Sequence, residues 1–97
     1  MSRSRLERCE DYLIKNGYDM SSKGFEYLLY ILNNYKSIRT NTITNIYNEV
    51  AKEYETSYHC VERNVRYFLH LKGKNEGITT KKVIANLIYD FNKKRGE

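Results

Sequence analysis

Ile43 to Leu71 read ITNIYNEVAKEYETSYHCVERNVRYFLHL, and this stretch predicts two helices joined by a turn of three or four residues. The first helix closes with VAKEY, and the second opens near Thr56 or Ser57. One face of the second helix is apolar, whereas Arg, Glu, His and Tyr side chains cover the opposite face. A short helix that supports a longer one with arginines on its outer face is typical of a helix-turn-helix DNA reader.

The sequence before this stretch predicts two further helices. Apolar residues at helical spacing run from Arg3 to Lys15, and Gly17 is a natural end because glycine readily adopts a left-handed conformation. Ser21 or Ser22 can cap a second helix, whose wide apolar arc from Phe25 to Tyr35 predicts the central core helix. The other glycines are likewise expected where helices stop.

The same spacing assigns caps and buried positions to the remaining helices. The candidate N-caps of the third helix are Thr40, Asn41, Thr42 and Thr44. Its buried stripe is expected to contain Ile43, Ile46, Tyr47, Val50, Ala51 and Tyr54. The fourth helix is expected to bury Tyr58, Val61, Val65, Phe68 and Leu69. After a loop from Lys72 to Gly77, Thr79 or Thr80 is expected to cap a fifth helix.

These helices predict the fold class. No strand-like alternation of useful length is present, and no hairpin signal follows the fourth helix, which argues against a winged variant. With 97 residues the chain is expected to form a single domain over positions 1–97. The predicted fold is all-α: a compact domain of about five helices with a central helix-turn-helix at about 43–72 and no wing.

Composition favours a polyanionic partner. The formal net charge is +5 and the sequence pI is near 9.2, as expected for a protein that binds nucleic acid. Cys9 and Cys60 form neither a CxxC motif nor a metal-ligand spacing. Since the sequence has no signal peptide and no apolar run of membrane-spanning length, both are expected to be reduced thiols in a cytoplasmic protein without a membrane role.

Catalytic chemistry has little support in the sequence. It has no glycine-rich phosphate loop and no metal constellation. The two histidines, His59 and His70, are eleven positions apart, and no acidic residue is spaced to form a dyad with either. We therefore expect a protein that is not an enzyme and that needs no cofactor or metal.

The fourth helix carries the candidate base contacts. At about 100° per residue, six side chains point away from its apolar face, and all of them except His70 are candidate base contacts: His59, Glu62, Arg63, Arg66, Tyr67 and His70. Arginine can bind O6 and N7 of guanine together in the major groove, and glutamate can accept a hydrogen bond from N4 of cytosine. His59 lies in the first turn, the end that such helices place deepest in the groove.

Other polar residues are candidate phosphate contacts, which set affinity more than sequence preference. They are Arg39, Asn64, His70, Lys72, Lys74, Lys81 and Lys82. Arg3, Arg5 and Arg8 can alternatively form a basic arm for a minor groove. The competing interpretation is an ordinary solvated face, in which Glu62 and Arg66 are merely an i,i+4 surface pair.

The chain resembles the C-terminal DNA-binding domain of the stage zero sporulation protein A response regulators of Firmicutes. The similarity runs from about Leu13 to Lys94. The helix-turn-helix of that family is similar to the segment IYNEVAKEYETSYHCVERNVRYFL. The similarity includes VAKEY, where the first helix ends, and VERNVR, at the centre of the second helix. By position, Glu62, Arg63 and Arg66 match the family's recognition-helix residues.

The resemblance implies a sequence-specific transcription regulator that binds short promoter boxes in double-stranded DNA. Tandem binding or a homodimer, and RNA polymerase as a further partner, follow from the same resemblance. Cys60 and Tyr67 stand where the family commonly has Arg and His, and the loop from Gly73 to Gly77 is short. These departures favour an alternative, a protein-interaction module of the same fold. The chain has no receiver domain, so it is either a fragment or a free-standing relative.

Overall fold

A computed structural model describes residues 4–18, 20–35, 42–72 and 79–95, with no strand among them. Its five α-helices are α1 (Arg5–Lys15), α2 (Lys23–Asn34), α3 (Ile43–Glu53), α4 (Tyr58–Tyr67) and α5 (Thr80–Arg95). A π-helical segment, Phe68–Lys72, continues α4. The predicted all-α fold of about five helices is therefore confirmed. None of the described helices is both long and apolar enough to cross a membrane.

Serine and threonine side chains define where the helices begin. Each hydroxyl accepts a hydrogen bond from the backbone N–H three residues later, which satisfies one of the unpaired N–H groups of the first turn. The N-caps of α1 to α4 are Ser4, Ser22, Thr42 and Ser57. Thr79 makes the same bond to Lys82 at the start of α5. Helix α1 begins at Arg5 and not at Arg3 as predicted, because Ser4 and Glu7 form a capping box there.

The core surrounds α2, as the sequence predicted. Leu28, Ile31 and Leu32 of α2 are fully buried. Most of the predicted stripes of α3 and α4 are also buried, but Ile43 and Tyr58 are only partly so. Tyr54 was wrongly placed in the core, since it is 38% exposed.

The position of Tyr54 has a local cause. It is the C-cap of α3, so its backbone has already left the helix and its ring no longer continues the buried stripe. The ring instead packs edge-on against Tyr27 and Tyr30, with centroid distances of 5.3 and 6.1 Å. Helical spacing cannot anticipate this, because it applies only while the backbone stays helical.

The turn from α3 to α4 closes α3 with a Schellman motif. The N–H of Thr56 bonds to the carbonyl of Ala51 at 2.9 Å, and the N–H of Glu55 bonds to the carbonyl of Lys52 at 3.4 Å. This motif needs a left-handed residue just after the C-cap, and Glu55 supplies it with φ 53°. Four residues, 54–57, therefore connect the two helices, and Ser57 is the N-cap of α4.

The positions of Gly24 and Arg5 differ from the sequence expectation. Gly17 ends α1 as predicted, with φ +87°. Gly24, in contrast, does not end a helix, because it is buried in the first turn of α2. Arg5 does not belong to a minor-groove arm. Its guanidinium donates to the carbonyls of Leu32 and Asn33 at 2.8 and 2.9 Å, and so closes the C-terminal end of α2. Arg3 lies outside the described residues.

Candidate nucleic-acid interface

Helix α4 lies between α2 and α3, with one face turned outward. Val61 and Val65 are fully buried beneath it. On the opposite side Arg63 and Arg66 are exposed, and Tyr67 is 55% exposed although its ring is large and mostly apolar. The helix therefore presents cationic and aromatic groups to solvent, while its apolar side is fixed by the core.

The five predicted base contacts all lie on or beside this outer face. His59 is exposed in the first turn, and its ring packs edge-on to Tyr58 at a centroid distance of 5.7 Å. Arg63 and Tyr67 lie along the middle. Glu62 and Arg66 lie towards α3, and Nη1 of Arg66 donates to Oε2 of Glu62 at 2.7 Å. Such an exposed i,i+4 pair contributes only about 0.3–0.5 kcal/mol, so a competing ligand can displace it.

A shallow depression of about 490 Å³ follows the C-terminal half of α4. Its lining residues are Arg63, Arg66, Tyr67 and His70. Two guanidinium groups offer fixed hydrogen-bond donors, and the tyrosine ring offers a flat apolar surface. This combination suits an anionic ligand with flat groups, such as the phosphates and base edges of a nucleic acid.

The candidate phosphate contacts are distributed unevenly. Lys81 and Lys82 are exposed in the first turn of α5. Nε2 of His70 lies 2.9 Å from Oγ1 of Thr80, so this hydrogen bond holds that turn beside the π-helical segment that continues α4. His70 itself is partly buried. Arg39, Lys74 and the side chain of Lys72 lie outside the described part of the chain.

Asn64 lies on the side of α4 that faces α2. Its amide nitrogen donates to the carbonyl oxygen of Cys60 at 2.7 Å and lies 3.4 Å from the Cys60 sulfur. A hydrogen bond from Thr56 lowers the pKa of the Cys60 thiol. Burial raises this pKa, but a hydrogen bond from Tyr27 and the nearby positive charges of Lys23 and Arg63 lower it further. Among the described residues, no group of three or more His, Cys, Asp or Glu side chains is placed to hold a metal ion.

Sequence reasoning missed one polar group, which lies on α3 beneath α4. Tyr47 of α3 was predicted only as a core residue, and it is indeed 3% exposed. Its hydroxyl is also buried, yet makes no hydrogen bond with any described residue. The sequence does contain a signal for such a group. A tyrosine predicted at a core position raises the question of what its hydroxyl bonds to, because a buried tyrosine hydroxyl usually has a hydrogen-bond partner.

Comparison with known protein families identifies the family of this chain. The family model described as "Sporulation initiation factor Spo0A C terminal" matches residues 9–96. No curated protein and no solved structure matches the chain. The family match covers nearly the whole sequence, including all of α2 to α4. The chain therefore belongs to the family of Spo0A C-terminal domains, the DNA-binding effector domains of sporulation regulators.

Proposed function

We propose that this chain binds specific duplex sequences as a transcription regulator, with residues 57–72 lying in the major groove as the recognition helix. The observation that carries the proposal is the outward strip of Arg63, Arg66 and Tyr67 on a helix whose opposite face is locked into the core. A rigidly held helix presents its side chains in a fixed register, which base recognition requires.

Each residue of the strip has a distinct role in this proposal. Arg63 is the leading candidate for a bidentate contact with guanine, since no described carboxylate forms an ion pair with it. Arg66 must first leave Glu62, and it then contacts guanine or phosphate. Glu62 can accept from N4 of cytosine, and His59 reaches a base edge from the first turn. Tyr67 packs its ring against a base edge or a thymine methyl group.

Phosphate contacts in this proposal flank the strip at its C-terminal end. Lys81 and Lys82 lie in the turn that His70 holds against α4. Each lysine that neutralises a phosphate releases condensed counterions, so it contributes affinity that decreases as salt increases. The remaining proposed contacts in this group are Arg39, Asn64, His70, Lys72 and Lys74.

The decisive experiment begins with a duplex selected from random-sequence DNA by the wild-type protein. Binding of that duplex is measured by fluorescence anisotropy for Arg63→Ala, Arg66→Ala and the control Lys15→Ala. Lys15 is an exposed cation at the end of α1, so the control removes the same charge away from the strip. Arg63→Ala and Arg66→Ala should each lose about 1–3 kcal/mol of specific binding energy while staying folded. Wild-type affinity in both would contradict the assignment of this face.

A second candidate function is a protein-interaction module of the same fold. It is favoured by two large exposed tyrosines, Tyr67 at 55% and Tyr89 at 67% exposure, because tyrosine is enriched in protein interfaces. Salt dependence separates the two functions. A steep decrease in DNA affinity with increasing salt supports the regulator, whereas absence of DNA binding at low salt supports the interaction module. The spacing of selected boxes would show whether two copies bind in tandem or as a homodimer; binding to RNA polymerase needs a separate assay.

A further inference from the structure

Tyr47 has a buried hydroxyl that finds no partner among the described residues. The residue is 3% exposed, and the hydroxyl oxygen is sealed from solvent. A buried hydroxyl without a hydrogen bond has lost its bonds to water and gained nothing in return. Phenylalanine would fill the same space without that cost, so the hydroxyl is unfavourable in this conformation. Its presence points to a second conformation in which it is used.

The packing of α3 against α4 identifies the group that can use it. The Tyr47 and Tyr58 rings pack edge-on at a centroid distance of 5.8 Å. Glu62 lies one turn after Tyr58 on the same side of α4, so it belongs to the part of α4 that packs over Tyr47. The pKa of the Tyr47 hydroxyl agrees with this position, because burial raises it, Glu62 and Tyr58 raise it further, and Arg66 lowers it.

Among the described residues, Glu62 is paired with Arg66. Its Oε2 accepts from Nη1 of Arg66, and its side chain is 30% exposed while that of Arg66 is 54% exposed. If Arg66 turns outward to a base or a phosphate, Glu62 is left partly buried without its cation. Negative DNA phosphates would then approach it, which makes the unpaired carboxylate still less favourable.

We propose that Tyr47 is a positioning residue, whose hydroxyl donates to Glu62 when Arg66 leaves that carboxylate to contact DNA. In the free protein Glu62 is paired with Arg66, and the Tyr47 hydroxyl makes no hydrogen bond with the described residues. In the DNA complex Arg66 is released, and the hydroxyl restrains Glu62 against α3. The exchange offsets part of the free energy lost when the ion pair opens. The DNA-bound half of this inference rests on the proposed function.

A double-mutant cycle on the free protein tests the exchange without DNA. In wild-type protein, Tyr47→Phe should leave the urea midpoint unchanged or raise it. In R66A, where Glu62 has already lost its cation, Tyr47→Phe should lower the folding equilibrium constant about 3- to 10-fold. Tyr12→Phe is the matched control, since its hydroxyl bonds to Asp90 of α5 instead, and its effect should be the same in both backgrounds. An equal effect of Tyr47→Phe in both backgrounds would overturn the inference.

Anisotropy on the selected duplex tests the role in DNA binding. Tyr47→Phe should weaken binding about 3- to 10-fold, as expected for the net loss of one intramolecular hydrogen bond. The loss should disappear in Glu62→Ala, where no carboxylate remains to be held. If Arg63→Ala weakens binding but Tyr47→Phe does not, the inference fails while the proposed function stands. If the free-protein cycle shows coupling but no duplex binds, the proposed function fails, and with it the role of Tyr47 in DNA binding.

Discussion

Gly24 of α2 lies directly against Phe68, where α4 passes into its π-helical segment. A Cβ atom at Gly24 would lie 2.4 Å from Cβ of Phe68 and 2.9 Å from the carbonyl oxygen of Asn64. Both distances are shorter than real Cβ contacts, and the second involves backbone that cannot rotate away. Only glycine therefore permits this approach of α2 to the C-terminal end of α4.

Gly24→Ala should destabilise the protein. Alanine normally favours a helix, but here its methyl group must push α2 away from α4, and overpacking of this kind costs about 1–3 kcal/mol. Urea unfolding followed by circular dichroism would measure the loss. Lys23→Ala is the matched control, because Lys23 is the exposed neighbour in the same turn, and it should change stability by less than about 0.5 kcal/mol. An equal midpoint for Gly24→Ala and wild type would show that the helices can separate at little cost.

Glu55→Gly should stabilise the protein. Glu55 has φ 53° at the left-handed position that closes α3, a conformation that costs a side-chain-bearing residue about 1–2 kcal/mol. Glycine removes that strain but has more conformational freedom when unfolded, so the expected net gain is about 0.5–1 kcal/mol. Thermal unfolding of Glu55→Gly and Glu49→Gly gives a direct comparison. Glu49 is exposed inside α3, so its substitution should lose about 1 kcal/mol, and a loss in both variants would contradict the strain at Glu55.

The fold was largely predictable because its signals are local. Helical spacing identified the buried faces of α2 and α4, and the possible caps included Ser22, Thr42 and Ser57. These depend on residues within one turn of one another. Gly24 was misjudged for the opposite reason. Its role depends on Phe68, forty-four positions later, and spacing within one helix carries no information about that contact.

The same distinction applies to the candidate interface. The Glu62–Arg66 pair was predictable, because residues four apart on a helix are neighbours. The bond between His70 and Thr80 was not predictable, since it joins two elements across a loop. The idle hydroxyl of Tyr47 also depends on how α3 packs under α4. Sequence therefore predicted the outer face of α4, whereas the groups that support that face required the structure.

Arg5→Ala should also destabilise the protein. The Arg5 guanidinium donates to the carbonyls of Leu32 and Asn33, and to Oδ1 of Asn92 at 3.1 Å. These bonds join α1, the end of α2, and α5. Hydrogen bonds to charged groups contribute about 1.5–3 kcal/mol, so we expect a loss in that range by urea unfolding. Arg5→Lys should recover only part of it, because an ammonium cannot reproduce the planar fork; full recovery would mean that charge alone matters.

Removing Lys81 or Lys82 should change the salt dependence of DNA binding more than its sequence preference. Each phosphate contact contributes about 0.9 to the slope of log K against log salt concentration. Lys81→Ala and Lys82→Ala should each reduce that slope by about one, while discrimination between the selected duplex and a scrambled one stays constant. Lys15→Ala is again the charge-matched control. Unchanged slopes for both variants would remove the start of α5 from the interface.

Stability should decrease in alkaline solution, in part because the native protein keeps Tyr12 protonated. Burial raises the pKa of Tyr12 from its ordinary 10.0, and the hydrogen bond to Asp90 raises it further. Below pH 10 both folded and unfolded chains hold the proton, so Tyr12 adds no pH dependence. Above pH 10 the unfolded chain loses the proton first, and the free energy of unfolding therefore decreases.

Urea midpoints measured from neutral pH to above pH 10 would test this, with tyrosinate absorbance as a second signal. Tyr12→Phe should be less stable than wild type near neutral pH, because it lacks the 2.7 Å bond to Asp90, but its alkaline decline should be shallower. Tyr89→Phe, at an exposed position of α5, is the matched control and should decline in parallel with wild type. Parallel declines for all three proteins would mean that Tyr12 does not cause the alkaline sensitivity.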